Sequence, residues 1–174
     1  MMRHLGLLAL LSALQMAASC SHPARASSIR ESKLSYLSGG KKIQVETFLP
    51  ATDQQHPAVV VLYGSGGSLH GKREIDAFAR QLAQRGMAAY LIHYFDRTGT
   101  LLARDKSIAA DSEVWQATVK DGIDFIVQQP QVRPGPIGMF GYSLGAFLTV
   151  GAATTDTRIG AAAELSGEIG RAHV

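Results

Sequence analysis

Gly141-Tyr142-Ser143-Leu144-Gly145 places a serine hydroxyl in a setting that can make it a nucleophile. The G-x-S-x-G pattern is weak by itself, so the segments on either side must decide. Ile137 to Phe140 is a short apolar run, and small residues such as Ala146, Ala152 and Ala153 follow the pattern. That order predicts a strand, a sharp turn and a helix, which together lift a serine above the ends of a sheet. The glycines have a steric reason: side chains at Gly141 and Gly145 would strike the neighbouring strand and helix. Ser143 then stands at a helix N-terminus, where developing negative charge is favoured. Such a hydroxyl can attack an acyl carbon, and the resulting oxyanion needs two backbone N–H donors. The Leu144 amide, directly after the serine, is one. For the second we choose Ser65, with Gly66 behind it, in Tyr63-Gly64-Ser65-Gly66-Gly67. No Gly-Lys-[Ser/Thr] follows this loop and it does not fit G-x-G-x-x-G, which argues against a phosphate cradle.

The elements that must position these residues alternate along the chain. Lys33 to Ser38 and Lys42 to Leu49, around Gly39-Gly40, read as a β-hairpin after a polar linker over residues 27–31. Ala58 to Tyr63 is a β-branched run of the kind buried on both faces of a parallel sheet. Glu74 to Arg85 has helical apolar spacing and stops at Gly86. Met87 to Tyr94 reads as a second buried strand. Residues 95–110 are ambiguous. Asp111 or Ser112 could cap a long helix through Trp115, Val119, Ile123 and Ile126. Ile137 to Phe140 is a third buried strand, Leu144 to Ala153 a helix, and Ile159 to Leu165 a fourth buried strand. Strand–helix alternation of this kind predicts an α/β fold, a doubly wound, mostly parallel sheet with an N-terminal hairpin.

Length and charge narrow the partners. The chain has 174 residues, 46% apolar and 18% charged, enough for one domain. Residues 1–26 hold Arg3 and Arg25 and no acid, which leaves 15 Lys and Arg against 14 Asp and Glu. A body this close to neutral carries no electrostatic footprint for nucleic acid. The single cysteine excludes an internal disulfide, and no Cys/His cluster suggests a metal site. Residues 1–26 read as a signal peptide: Arg3 precedes an apolar run from Leu5 to Leu14, and Ala24-Arg25-Ala26 offers a cleavage site. Ala17-Ala18-Ser19-Cys20 also resembles a lipobox, so Cys20 is either a lipid anchor or discarded with the leader. Either route predicts export to the periplasm or the cell exterior.

Four segments together resemble the dienelactone hydrolase family of α/β-hydrolases. They are Val59 to Gly67, His93-Tyr94-Phe95-Asp96, the Gly141 to Ala146 turn, and Arg158 to Ala162 with Leu165-Ser166-Gly167. The resemblance implies hydrolysis of small carboxylic esters or lactones through an acyl-enzyme, with no metal or organic cofactor. Two departures stand out: founding members use Cys where this chain has Ser143, and many relatives have His where Tyr63 stands. The triad order of the fold is Ser, then Asp or Glu, then His. Both partners would follow Val174, and more strands are expected than the six read here. We therefore expect residues 27–174 to be an incomplete α/β-hydrolase domain with its C-terminal strands missing, inactive alone. Glu164 or Glu168 with His173 are the partners available within the chain, although the tail after Gly167 does not resemble the family. The remaining histidines, among them His56, His70 and His93, read as structural or solvated. A non-catalytic exported binding protein of the same fold, or a hydrolase of another branch, is the alternative.

Overall fold

The computed structural model describes residues 28–165. The leader, Cys20, Glu168 and His173 lie outside the described residues. The elements are β1 (Ile29–Ser38), β2 (Lys41–Pro50), β3 (Ala58–Leu62), α1 (Lys72–Gln84), β4 (Ala88–Ile92), α2 (Asp105–Ile126), β5 (Ile137–Tyr142), α3 (Leu144–Thr155) and β6 (Ile159–Leu165). One 3-10 turn, Tyr94–Arg97, joins β4 to α2.

They build one sheet in the order β1-β2-β4-β3-β5-β6. β1 pairs with β2, and β2 with β4, antiparallel; the other pairs are parallel. The β3-to-β4 crossover runs one way along the sheet, and β4-to-β5 and β5-to-β6 run the other. Right-handed connections then place α1 on one face and α2 with α3 on the other. Side-by-side packing of α2 and α3, and of α1 on β2 and β4, agrees. The fold is thus α/β and doubly wound, as the alternation predicts. The direction of winding reverses between β3 and β5, and the crevice beyond the carboxyl ends of two such strands is where α/β sheets bind ligands.

Burial follows residue type. All five residues of β4 are buried, as are Val60, Val61 and Leu62 of β3. β2 buries Ile43, Val45 and Thr47 in alternation, and toward its end, where α1 packs on the sheet, Phe48 is buried as well. Trp115, Val119, Ile123 and Ile126 form the buried stripe of α2, and the Trp115 indole donates to the Thr98 hydroxyl at 2.9 Å.

Three expectations need correction. β1 begins at Ile29, so residues 29–31 of the stretch read as linker are already strand, held by ladder pairing of Ile29 to Pro50. α2 begins at Asp105 with Arg104 as its cap, about two turns before the expected one. The Ser107 hydroxyl accepts the Arg104 amide at 2.8 Å and closes the helix end, so Asp111 and Ser112 lie inside the helix. The third concerns β6. It pairs with β5, but Gly160 to Leu165 are all exposed rather than buried.

Beside β6, Phe147, Val150 and Leu165 are 55%, 45% and 56% exposed. An open strand edge flanked by apolar side chains is a template for association. The 174-residue chain expressed alone is expected to self-associate during sedimentation analysis. A monodisperse monomer with one cooperative melting transition would contradict this.

Candidate active site

The expected strand–turn–helix is present: β5 ends at Tyr142, Ser143 turns the chain, and α3 starts at Leu144. Ser143 has φ 51° and ψ −115° and is the one non-glycine residue with positive φ among the described residues. Such backbone costs on the order of 1–3 kcal/mol and persists only where surrounding structure imposes it. Here the Ser143 amide donates to the Leu165 carbonyl of β6 at 2.9 Å, and its carbonyl accepts the Ala146 amide at 2.8 Å. A β-carbon on Gly145 would lie 2.5 Å from the Tyr63 carbonyl oxygen and 2.6 Å from that of Leu62. One on Gly141 would strike the Gly145 backbone and come within 2.5 Å of the Thr149 hydroxyl. The bare backbones let α3 settle against β3 and β5 and drive the turn upward.

The loop after β3 meets this turn. A β-carbon on Gly64 would sit 3.0 Å from the Ser143 β-carbon, so the loop lies directly against the serine. Its carbonyls face inward: Gly64 accepts Gly67, Ser65 accepts Ala103 at 2.8 Å, and Gly66 accepts Leu69 and His70. Neither the Ser65 amide nor the Leu144 amide donates to a backbone carbonyl outside the regular elements, and Leu144 is the first helical residue, whose N–H has no intrahelical partner. Tyr94 anchors the loop from below: its hydroxyl donates to the Tyr63 carbonyl at 2.8 Å, and its ring stacks on Tyr63 at 4.6 Å. The Tyr63 hydroxyl accepts the Phe95 amide at 3.1 Å, and burial pushes its ionisation well above that of a free phenol.

Ser65, Ser143 and Leu144 line one cleft of about 630 Å³, together with Ile108, Phe147 and Leu148. Asp105, Ser112, Glu113 and Gln116 complete it from α2. These α2 residues were missed in the sequence, because nothing there tells that α2 crosses the carboxyl end of the sheet. No histidine or carboxylate among the described residues hydrogen-bonds the Ser143 hydroxyl. Glu164 is exposed on β6. No group of three or more His, Cys, Asp or Glu among the described residues could hold a metal ion.

A second polar cluster stands at the end of β4. His93 is 7% exposed; its Nε2 lies 2.9 Å from Glu46 Oε1 and its Nδ1 3.2 Å from the Ser68 hydroxyl. Glu46 Oε2 accepts Lys72 Nζ at 3.0 Å, and Lys72 also bonds Asp76 at 2.6 Å. Burial holds the imidazole below its ordinary 6.5, against the pull of Glu46 and Asp96. Burial also raises the Glu46 carboxyl, but Lys72 and His93 outweigh it and leave it below its ordinary 4.5. Both shifts act in one direction. The unfolded chain takes up protons that the folded chain declines, so stability is full above about 6.5 and falls as pH drops toward the folded-state values. The melting temperature is therefore expected to fall between pH 7.5 and 5.5, and less steeply in His93→Gln. Equal slopes in both proteins would refute the assignment. His56 is structural, as expected: its ring contacts Thr52 and the Gly86 carbonyl.

A model of the dienelactone hydrolase family matches residues 43–173, which carries the likeness past Gly167, where the sequence reading ended it. No curated protein matches. Among solved structures, a dienelactone hydrolase-like promiscuous phosphotriesterase from metagenomic libraries is 21% identical with a TM-score of 0.68, covering 80% of this chain and 59% of its own. A dienelactone hydrolase from Anabaena variabilis is 21% identical at a TM-score of 0.60, covering 80% and 64%. A cold-adapted esterase from an Arctic intertidal metagenomic library is 26% identical at 0.61, covering 80% and 62%. The chain thus spans about three fifths of the length of these structures. With the family match extending over most of its length, the chain belongs to the dienelactone hydrolase family.

Proposed function

We propose that this chain carries the nucleophile and oxyanion donors of a serine hydrolase acting on small carboxylic esters or lactones. Ser143 Oγ attacks the acyl carbon, the carbonyl oxygen takes the charge between the Ser65 and Leu144 amides, and the alcohol leaves from an acyl-enzyme that water then hydrolyses. The observation that carries this reading is the left-handed backbone of Ser143, set against the Gly64-Ser65 loop at the reversal point of the sheet. Strain of this kind clusters where a side chain must be presented. The proton of Ser143 needs a base oriented by an acid. Neither is bonded to it among the described residues, so we assign both to residues outside them. His173 and Glu168 are the first to test, and any further sequence of the native gene product is next. The reaction as written requires no metal or organic cofactor.

The native gene product is expected to hydrolyse p-nitrophenyl acetate and dihydrocoumarin, and Ser143→Ala to abolish both reactions. Unchanged rates in Ser143→Ala would overturn the assignment. A second reading, a non-catalytic exported binding protein, is favoured by the lack of a base at Ser143 among the described residues. Binding of small esters by the native product without turnover would select it. We further propose that residues 1–26 export the chain. A fusion of this segment to alkaline phosphatase is expected to be active outside the cytoplasm, and palmitate incorporation lost in Cys20→Ala would identify Cys20 as a lipid anchor.

A further inference from the structure

The cluster at the end of β4 has the connectivity of a hydroxyl–imidazole–carboxylate relay, and Ser143 takes no part in it. We propose that Ser68, His93 and Glu46 form a second nucleophilic site, in which Ser68 reacts with activated acyl or phosphoryl esters.

The tautomer follows from the partners. A carboxylate accepts only, so the 2.9 Å contact to Glu46 requires the hydrogen of neutral His93 on Nε2. Nδ1 then carries a lone pair, and the Ser68 hydroxyl, 3.2 Å away, donates to it. The Gln44 amide, 3.4 Å from Nε2, is a donor and turns to Glu46 Oε1 instead. Burial holds the ring neutral at neutral pH, ready to accept a proton. The groups facing it stabilise the imidazolium that would form. Glu46 from β2, Lys72 and Asp76 from α1, and Asp96 from the 3-10 turn sum to negative charge around the ring, and the Tyr63 ring packs edge-on at 5.8 Å. Ser68 itself is exposed, so an electrophile reaches it without entering the Ser143 cleft.

The step balances with a fluorophosphonate probe. The Ser68 oxygen forms a bond to phosphorus, the phosphorus–fluorine bond breaks, and fluoride leaves. The hydroxyl proton passes to His93 Nδ1. With an acyl ester the alcohol leaves in place of fluoride.

The test treats the native gene product carrying Ser143→Ala with a fluorophosphonate and maps the adduct by mass spectrometry. Ser68 and position 143 fall in different tryptic peptides, separated by Lys72. We expect an adduct at Ser68 forming at least about 100-fold faster than at other exposed serines, the scale of general-base assistance. The adduct is expected to disappear in Ser68→Ala, to slow by a similar factor in His93→Gln, and to slow at a lower pH than a free imidazole would give, because burial holds the ring below its ordinary 6.5. An unmodified Ser68, or a rate unchanged in His93→Gln, would overturn the proposal. Mapping the unsubstituted chain repeats the test should Ser143→Ala fail to fold. A Ser68 adduct leaves the reading of Ser143 untouched, because the two sites are scored separately.

Discussion

Ser143→Gly is expected to raise the stability of the chain while removing the activity of the native gene product. The serine is held at φ 51° and ψ −115°, a conformation that glycine adopts freely. Relief of strain on the order of 1–3 kcal/mol exceeds the added backbone entropy of glycine, roughly 0.5–1 kcal/mol, so a net gain of about 1 kcal/mol should appear in urea unfolding. Ser143→Ala removes the hydroxyl but keeps the strained backbone, so it should not gain comparably. Both substitutions should lower kcat by about 10⁶-fold if Ser143 is the nucleophile, leaving only what the oxyanion donors supply. A stability gain with retained hydrolysis would mean that the strain serves something other than presentation of this hydroxyl.

Gly145→Ala should be among the most damaging single methyls in the described core. The new carbon would lie 2.5 and 2.6 Å from two backbone carbonyl oxygens of the β3 end. Neither oxygen can rotate away, so α3 or β3 must move, at a cost of about 3 kcal/mol. The part of β3 that moves leads into Gly64-Ser65, so the oxyanion donor is displaced as well, and activity should fall by about 100-fold in whatever enzyme still folds. Gly151→Ala, in the same helix, is the control. Its methyl meets the end of the Gln116 side chain at 2.9 Å, which can swing aside, and the change should stay under about 1 kcal/mol. Equal unfolding midpoints for the two variants would show that the close approach of Gly145 to β3 is not required.

What the sequence makes legible here is local. The β-branched run at residues 58–62, the glycines at 141 and 145 and the small-residue helix that follows each specify their own conformation by sterics, and the structure places them where expected. Two failures have one origin, in that a residue type fits two environments. Asp111 and Ser112 are good caps and also ordinary polar positions along a helix, whereas the true cap is made by Ser107 reaching back to Arg104. Ala161, Ala162 and Ala163 suit a buried strand and equally an open edge, and only a neighbouring strand would distinguish these. The cleft residues of α2 and the Ser68–His93–Glu46 cluster were beyond reach for another reason. Glu46 meets His93 only because β2 pairs antiparallel with β4, with Glu46 opposite Leu91, and no spacing in the chain records that pairing.

The most direct measurement is the site of fluorophosphonate attachment in the native gene product. An activated serine consumes the probe stoichiometrically, whereas a hydroxyl without a base is a poor nucleophile at neutral pH. The account predicts a rapid adduct on Ser143, scored apart from any at Ser68, and its loss in Ser143→Ala together with ester hydrolysis. Ester hydrolysis by a native product whose Ser143 stays unmodified would contradict it. Rapid labelling of Ser143 in the 174-residue chain would instead place the base within that chain, with His173 the first residue to replace.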